Sequence, residues 1–284
     1  MKLSHPDADI YVPGETALDP AAALARTTHL CVIAHQDDIE INAYPGVTEC
    51  YGRSDRHFTG VVVTNGAGSP RAGRYANHTD EQMRAVRREE QRAAARLGRY
   101  NLQLQLAHPS ADVKRPGHPG VMADLAAIFG GCRPEVVYLH QPMDKHDTHV
   151  AVLLRCVEAM RALPADRRPR RVLGVEAWRG LDWLGDAEKV PLDCSALPEL
   201  AVPLIRVFDS QVAGGKSYDI AALGRRQANA TFHTSHATDR FTSIAWAIDL
   251  TPLVTDDKLG VADFALATVD RLRADVADRL KRLG

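Results

Sequence analysis

The chain has 284 residues, 45% of them hydrophobic, enough to bury a sizeable core in one large α/β domain or two small ones. Its 35 Lys and Arg nearly cancel 36 Asp and Glu, so no bulk charge points to nucleic acid or to a membrane surface. No uninterrupted apolar run is long enough to cross a bilayer, and the start at Met1–Pro6 lacks the apolar segment of a secretory signal.

Residues 1–25 carry Pro and Asp and are expected to wrap the surface before a short helix at Pro20–Arg26. Leu30–Ala34 reads as a buried parallel strand that stops on His35-Gln36-Asp37-Asp38. Tyr44–Arg53 is polar and broken by Pro45-Gly46, which leaves room only for a short helix. Thr59–Val63 is a second strand, and Thr64–Gly68 turns out of it into a Gly-, Arg- and Asn-rich rim reaching Thr79. Thr79 or Asp80 can cap a strong helix in which Met83, Val86, Ala93 and Leu97 recur at helical spacing, and Gly98 stops it. Asn101–Leu106 alternates polar and apolar, like a strand with one exposed face.

A helix is expected over Gly120–Gly130, a fourth strand over Glu135–His140 and a helix over Thr148–Leu163. Pro164–Arg171 is a basic surface loop, Val172–Ala177 and Leu204–Phe208 read as further strands, and Ile220–Phe232 and Gly260–Leu283 as helices. Strands alternating with helices argue for a mostly parallel sheet with helices on both faces. Without a convincing linker or repeat, the expectation is a single Rossmann-like α/β domain over 1–284. Its motif-bearing part spans about 27–163, and 164–284 completes the fold and the substrate mouth.

In such sheets ligands bind beyond the carboxyl ends of the strands, where His35, Asp37 and Asp38 would lie. Adjacent carboxylates are costly unless positive charge sits between them, and a divalent cation is the obvious candidate. The alternative is that Asp37 or Asp38 caps a helix, and on this stretch alone the two readings weigh equally. A second cluster, His140, Asp144, His146, Asp147 and His149, follows another apolar strand. Three N/O ligands with an open fourth position are what a catalytic zinc needs, and two clusters at two strand ends rarely arise by chance.

Ala34-His35-Gln36-Asp37-Asp38-Ile39-Glu40-Ile41 resembles the AH-x-DD-x-E-I motif of the PIG-L (LmbE-like) zinc-dependent N-deacetylases. His146-Asp147-Thr148-His149 falls where that family carries H-P-D-H, and Arg87–Gly98 looks like its R-x-E-E-x-x-x-A-A-x-x-L-G helix. His233-Thr234-Ser235-His236 is a weak match to a late H-x-S-Q. The resemblance covers roughly Leu30 to His149. It implies His35, Asp38 and His149 as ligands of Zn2+, or of Fe2+ in its place. Asp37 would be the general base, His146 would contact the oxyanion, and Arg87 would meet the substrate, with His233 and His236 lining the mouth. Thr148 departs from the motif: the family's Asp there would partner the preceding His, a task open here to Asp147 or Asp144.

The reaction so implied is removal of an N-acetyl or other acyl group from an amino-sugar (GlcNAc-type) conjugate. The rivals are the same metal site acting on another amide in natural-product assembly, or a non-catalytic nucleotide- or sugar-binding module using the Asn65–Gly68 turn. Trp178–Trp183 offers a stacking platform, with core filling the commoner use of such residues. Five scattered cysteines, Cys31, Cys50, Cys132, Cys156 and Cys194, are never spaced as C-x-x-C and suit free thiols in the cytoplasm. Partners are expected to be a small-molecule substrate and a homo-oligomeric copy, with no nucleic acid and no membrane.

Overall fold

A computed structural model of the chain describes residues 1–14 and 18–284. Eight strands, β1 (Asp9–Tyr11), β2 (His29–Ile33), β3 (Phe58–Thr64), β4 (Leu102–His108), β5 (Val136–His140), β6 (Val172–Val175), β7 (Val190–Asp193) and β8 (Ile244–Asp249), form one sheet. The helices of the first half are α1 (Pro20–Ala25), α2 (Asp38–Asn42), α3 (Tyr44–Cys50), α4 (Asp80–Leu97), α5 (Ser110–Lys114), α6 (Pro119–Gly131) and α7 (Asp147–Arg161). Those of the second are α8 (Pro198–Arg206), α9 (Asp209–Val212), α10 (Tyr218–Phe232), α11 (Thr251–Thr255) and α12 (Val261–Leu283).

The sheet order is β1-β4-β3-β2-β5-β6-β8-β7. The five central strands are parallel, while β1 pairs antiparallel with β4, β8 with β6, and β7 with β8. From β2 the chain steps outward through β3 and β4, then returns to the other side of β2 for β5 and β6. The topological switch therefore lies between β2 and β5, where an open α/β sheet leaves its crevice. Every residue of β2 is buried, as a central parallel strand requires. Leu30 and Val32 face one core with Val137, Leu139 and the inner sides of α6 and α7. Cys31 and Ile33 face the other with Ile39, Tyr44, Val47 and Leu204.

The mostly parallel sheet with helices on both faces agrees with the sequence, and three local expectations change. The polar side of β4 is not exposed: Gln103 and Gln105 are buried beneath α4, and Gln105 donates to the Arg88 carbonyl at 3.0 Å. Leu204–Phe208 is no strand. Pro198 opens α8, and Leu200, Ala201, Leu204 and Ile205 are buried at helical spacing. The short edge strands β1 and β7 carry no strand signal long enough to stand out, and the six-residue run of β8, Ile244–Asp249, adds a strand that was not expected.

The helix α4 starts on a capping box between Thr79 and Gln82. The helix α12 is mostly exposed, and only Thr268 in it is buried. Among the described residues no helix is long and apolar enough to cross a membrane.

Candidate metal centre and active site

The tip of β2 is held by Thr64, whose N–H and hydroxyl both donate to the Ala34 carbonyl, at 2.9 and 2.8 Å. Beyond it His35, Gln36 and Asp37 make the turn into α2. Asp37 adopts φ +82°, a left-handed conformation uncommon outside glycine and asparagine. Its surroundings hold it there: its N–H donates to Gln91 Oε1 at 3.3 Å and its Oδ2 accepts from Arg87 at 3.2 Å. On the other side of the switch, β5 ends at His140, Asp144 and His146 occupy the loop, and His149 lies in the first turn of α7.

Three donor atoms converge. Asp38 Oδ2 lies 3.2 Å from His35 Nδ1 and 3.2 Å from His149 Nε2, and the two imidazole nitrogens are 3.3 Å apart. Tetrahedral ligands held about 2.0–2.1 Å from a zinc ion stand roughly 3.3 Å from one another, so the triangle fits a first-row divalent cation. Two imidazoles and one carboxylate also match the open-sided triad used by non-haem Fe(II).

His146 and His140 are adjacent but differ in what they offer. The Ala34 N–H donates to His140 Nε2 at 2.9 Å, so that nitrogen's lone pair is already used. The His140 ring stacks on His149 at 3.8 Å and forms the wall behind it. The His146 ring packs against both His35 and His149, lines the cleft, and keeps a buried Nδ1 without a hydrogen-bond partner.

Asp144 braces the second cluster. Its Oδ2 faces His149 Nδ1 at 3.4 Å and accepts the Trp178 N–H at 3.2 Å, and its Oδ1 accepts the His146 N–H at 3.1 Å. The carboxylate absent at Thr148 is thus supplied from Asp144, to the ring of His149 and the main chain of His146, while Asp147 points to solvent.

The charge states follow from burial and neighbours. Burial is the strongest influence on Asp37 and pushes it up to about 7, with Arg87 pulling it down and Asp38 pushing it up. Burial opposes ionisation of Asp38 too, but His149 and the hydrogen bonds from His149 and His35 outweigh it and hold it well below the usual range. For His149 burial disfavours the proton, yet Asp38 and Asp144 prevail and push it up to about 9. A proton thus takes the position a cation would compete for. Burial, then the charges of His149 and His35, lower His146, so its ring is neutral at pH 7.

The motif glutamate Glu40 sits outside the cleft. Burial raises it to about 8 while Tyr100 and Gln91 hydrogen bonds work against that, and it ties α2 to α4 and to Tyr100 just before β4.

A cleft of about 250 Å³ opens on Asp37, Asp38 and His146, with the 64–70 turn and Lys114 on one side and Trp178, Gln211 and Tyr218 on the other. Arg87 reaches it only from beneath. Its guanidinium is 2% exposed and is held by the Gln36 carbonyl, Asp37, Glu90 and Ser210. Gly66, at φ +71°, has no room for a Cβ, which would meet Gln36 Oε1 at 2.6 Å.

His233 and His236 are not brought to the cleft. Arg226 donates to the carbonyls of Glu40 and Ile41, at 2.8 and 2.9 Å, which lays the first turns of α10 over the site. A 15-residue helix carries its far end about 20 Å away. His233 therefore packs on Trp246 and Phe241, and His236 is exposed. From α10 it is Tyr218 that lines the cleft, and no spacing in the sequence marks it out.

Comparison with known proteins follows the same lines. Residues 30–160 match the family model described as PIG-L, GlcNAc-PI de-N-acetylase. No curated protein sequence shows a significant match. Among solved structures, the 4-carboxy-2-hydroxymuconate hydratase of Pseudomonas putida superposes with a TM-score of 0.59 at 18% identity, over 82% of this chain and 100% of that one. The N,N'-diacetylchitobiose deacetylase of Pyrococcus horikoshii gives 0.57 at 17%, over 78% and 84%. A deacetylase of teicoplanin biosynthesis gives 0.54 at 16%, over 78% and 98%. At these identities the likeness is one of fold, and a hydratase and two deacetylases share it. The family match is different in kind, because residues 30–160, which match the PIG-L (GlcNAc-PI de-N-acetylase) family model, span both strand tips and every donor of the triangle.

Proposed function

We propose that the protein is a metal-dependent hydrolase that removes an N-acetyl or related acyl group from an amino-sugar-type substrate. The observation that carries this reading is the three-donor triangle of His35, Asp38 and His149 with an unligated carboxylate, Asp37, beside it. His35, Asp38 and His149 would hold zinc, with Fe(II) the alternative for the same donors. When bound, the ion lowers the pKa of water to about 7 and polarises the amide carbonyl. Asp37 takes the water's proton as the C–O bond forms and delivers it to the nitrogen as the C–N bond breaks, leaving a carboxylic acid and a free amine. His146 donates an N–H to the developing oxyanion, an interaction worth about 3 kcal/mol in comparable sites. Arg87 is a positioning residue on this reading: it fixes Asp37 and, being buried, acts on the substrate only through it.

That the 164–284 part lines the cleft with Trp178, Gln211 and Tyr218 supports reading 1–284 as one functional domain. Five buried free thiols suit the cytoplasm. Self-association is supported by α12. Leu266, Val269, Val276, Leu280 and Leu283 are 44–78% exposed and recur, with Arg273 among them, at the alternating three- and four-residue spacing of a coiled-coil seam. Doubling such a stripe buries on the order of 1,000 Å², the lower bound for a specific interface. An antiparallel pairing of two copies sets Arg273 against Val276 of the partner subunit rather than against its own charge.

The test is a panel of amino sugars N-acylated with acetyl and with longer chains, given to metal-loaded protein and scored for free amine. Release that disappears in His149→Ala supports the reading. Stoichiometric metal with no amine from any member contradicts it.

A further inference from the structure

Beside the polar cleft lies a second space of about 140 Å³ that opens on the same two carboxylates, Asp37 and Asp38. Its walls are Ile41, Ala177, Ala221, Ala222 and one side each of Trp178 and Tyr218. The two aromatic rings meet edge to face at 6.2 Å and divide this pocket from the cleft. The Trp178 main-chain N–H donates to Asp144, and the Lys216 ammonium lies 5.2 Å over its ring. Arg225 closes the outer end by donating to the Ala177 carbonyl.

The site thus has two exits of opposite character. The cleft is bounded by Asn65, the 66–69 main chain and Lys114, whereas the pocket between α2 and α10 offers mainly hydrocarbon. An amide at the reacting centre has two substituents that must leave in different directions. The hydroxyl-rich amine part suits the cleft, and the acyl part suits the pocket. An acetyl methyl leaves most of 140 Å³ empty, while an apolar cavity of roughly 150 Å³ is known to accept a six-carbon ring.

We infer that this pocket is an acyl-selecting subsite and that the preferred substrate carries an apolar acyl chain of about four to six carbons rather than acetyl. The inference rests on the hydrolytic reading proposed above. Ala221 and Ala222 are the residues that set the length, since any larger side chain there would fill the space.

The experiment uses metal-loaded full-length protein and glucosamine N-acylated with acetyl through octanoyl chains. The expected kcat/KM rises about fourfold per added methylene, the increment for burying one CH₂, and levels off near six carbons. Ala222→Phe and Ala221→Leu, checked for native circular dichroism, abolish the rise. Acetyl and hexanoyl substrates hydrolysed within twofold of each other, or a rise that survives both substitutions, would overturn the inference. Calorimetric titration with the free carboxylates, acetate to hexanoate, reads the pocket without turnover. Affinity that climbs with chain length while no amine is ever released sinks the proposed reaction and upholds the pocket. Amine release with flat carboxylate affinities does the reverse.

Discussion

Asp37 and Asp38 are neighbours in sequence and are given opposite tasks by their surroundings. Asp38 faces two imidazoles and stays ionised, whereas Asp37 is turned away by its left-handed backbone onto Arg87 and pushed up to about 7, where a carboxylate can both accept and return a proton. Asparagine tolerates that backbone and keeps a hydrogen-bond acceptor for Arg87, so Asp37→Asn is the cleaner substitution. It should bind metal normally and lose about 10²- to 10⁴-fold in kcat, read by amine release alongside metal content. Lost metal would reassign Asp37 as a ligand.

His149 supplies a second prediction. Without a cation it is pushed up to about 9, and its Nε2 must be free of the proton to ligate metal. Below that value a proton is displaced on binding. Metal affinity should therefore rise about tenfold per pH unit from pH 6 to 8, measured by competition with a chelating dye. A dissociation constant that does not move with pH would contradict the proton-for-cation exchange.

Elements were legible in the sequence where their pattern was long or their end was marked. The 18-residue α4 could be read because Thr79 caps it, Gly98 ends it and its apolar residues hold helical period. What the period could not convey is that its polar face is buried as well: Arg87, Glu90 and Gln91 lie under the β2 tip, and the alternating β4 lies beneath them. Alternation fixes which residues share a face, and only packing decides whether that face is wet. Leu204–Phe208 misled for a related reason, since a short run of four apolar residues around Arg206 fits a buried strand or a helix segment equally.

The helix α12 was foreseen as a helix, but its exposed seam emerged only from the structure, because an amphipathic stripe normally implies a core to meet. If that seam joins two copies, light scattering should give twice the chain mass, and Leu266→Glu with Leu280→Glu should give the monomer with activity per chain retained. A wild-type monomer at micromolar concentration would rule the pairing out.

At the scale of the whole molecule, sequence separation and spatial order part company. His35 and His149 are 114 residues apart, yet the return of the chain across β2 sets their strands side by side. That convergence was legible in advance because both clusters sit just past apolar runs, and strand ends in a parallel sheet share one edge. The bracing role of Asp144, the burial of Arg87 and the arrival of Tyr218 were not, since each depends on how a loop or a late helix packs rather than on spacing.

Both the hydrolytic chemistry and the roles of Asp37 and His146 require one cation gripped by this edge. Anomalous diffraction from crystals of the metal-loaded protein, recorded at the zinc and iron edges, tests it most directly. A single peak is expected about 2.0–2.2 Å from His35 Nδ1, Asp38 Oδ2 and His149 Nε2. A peak held by other side chains, or crystals of folded protein that take up neither metal, would contradict it.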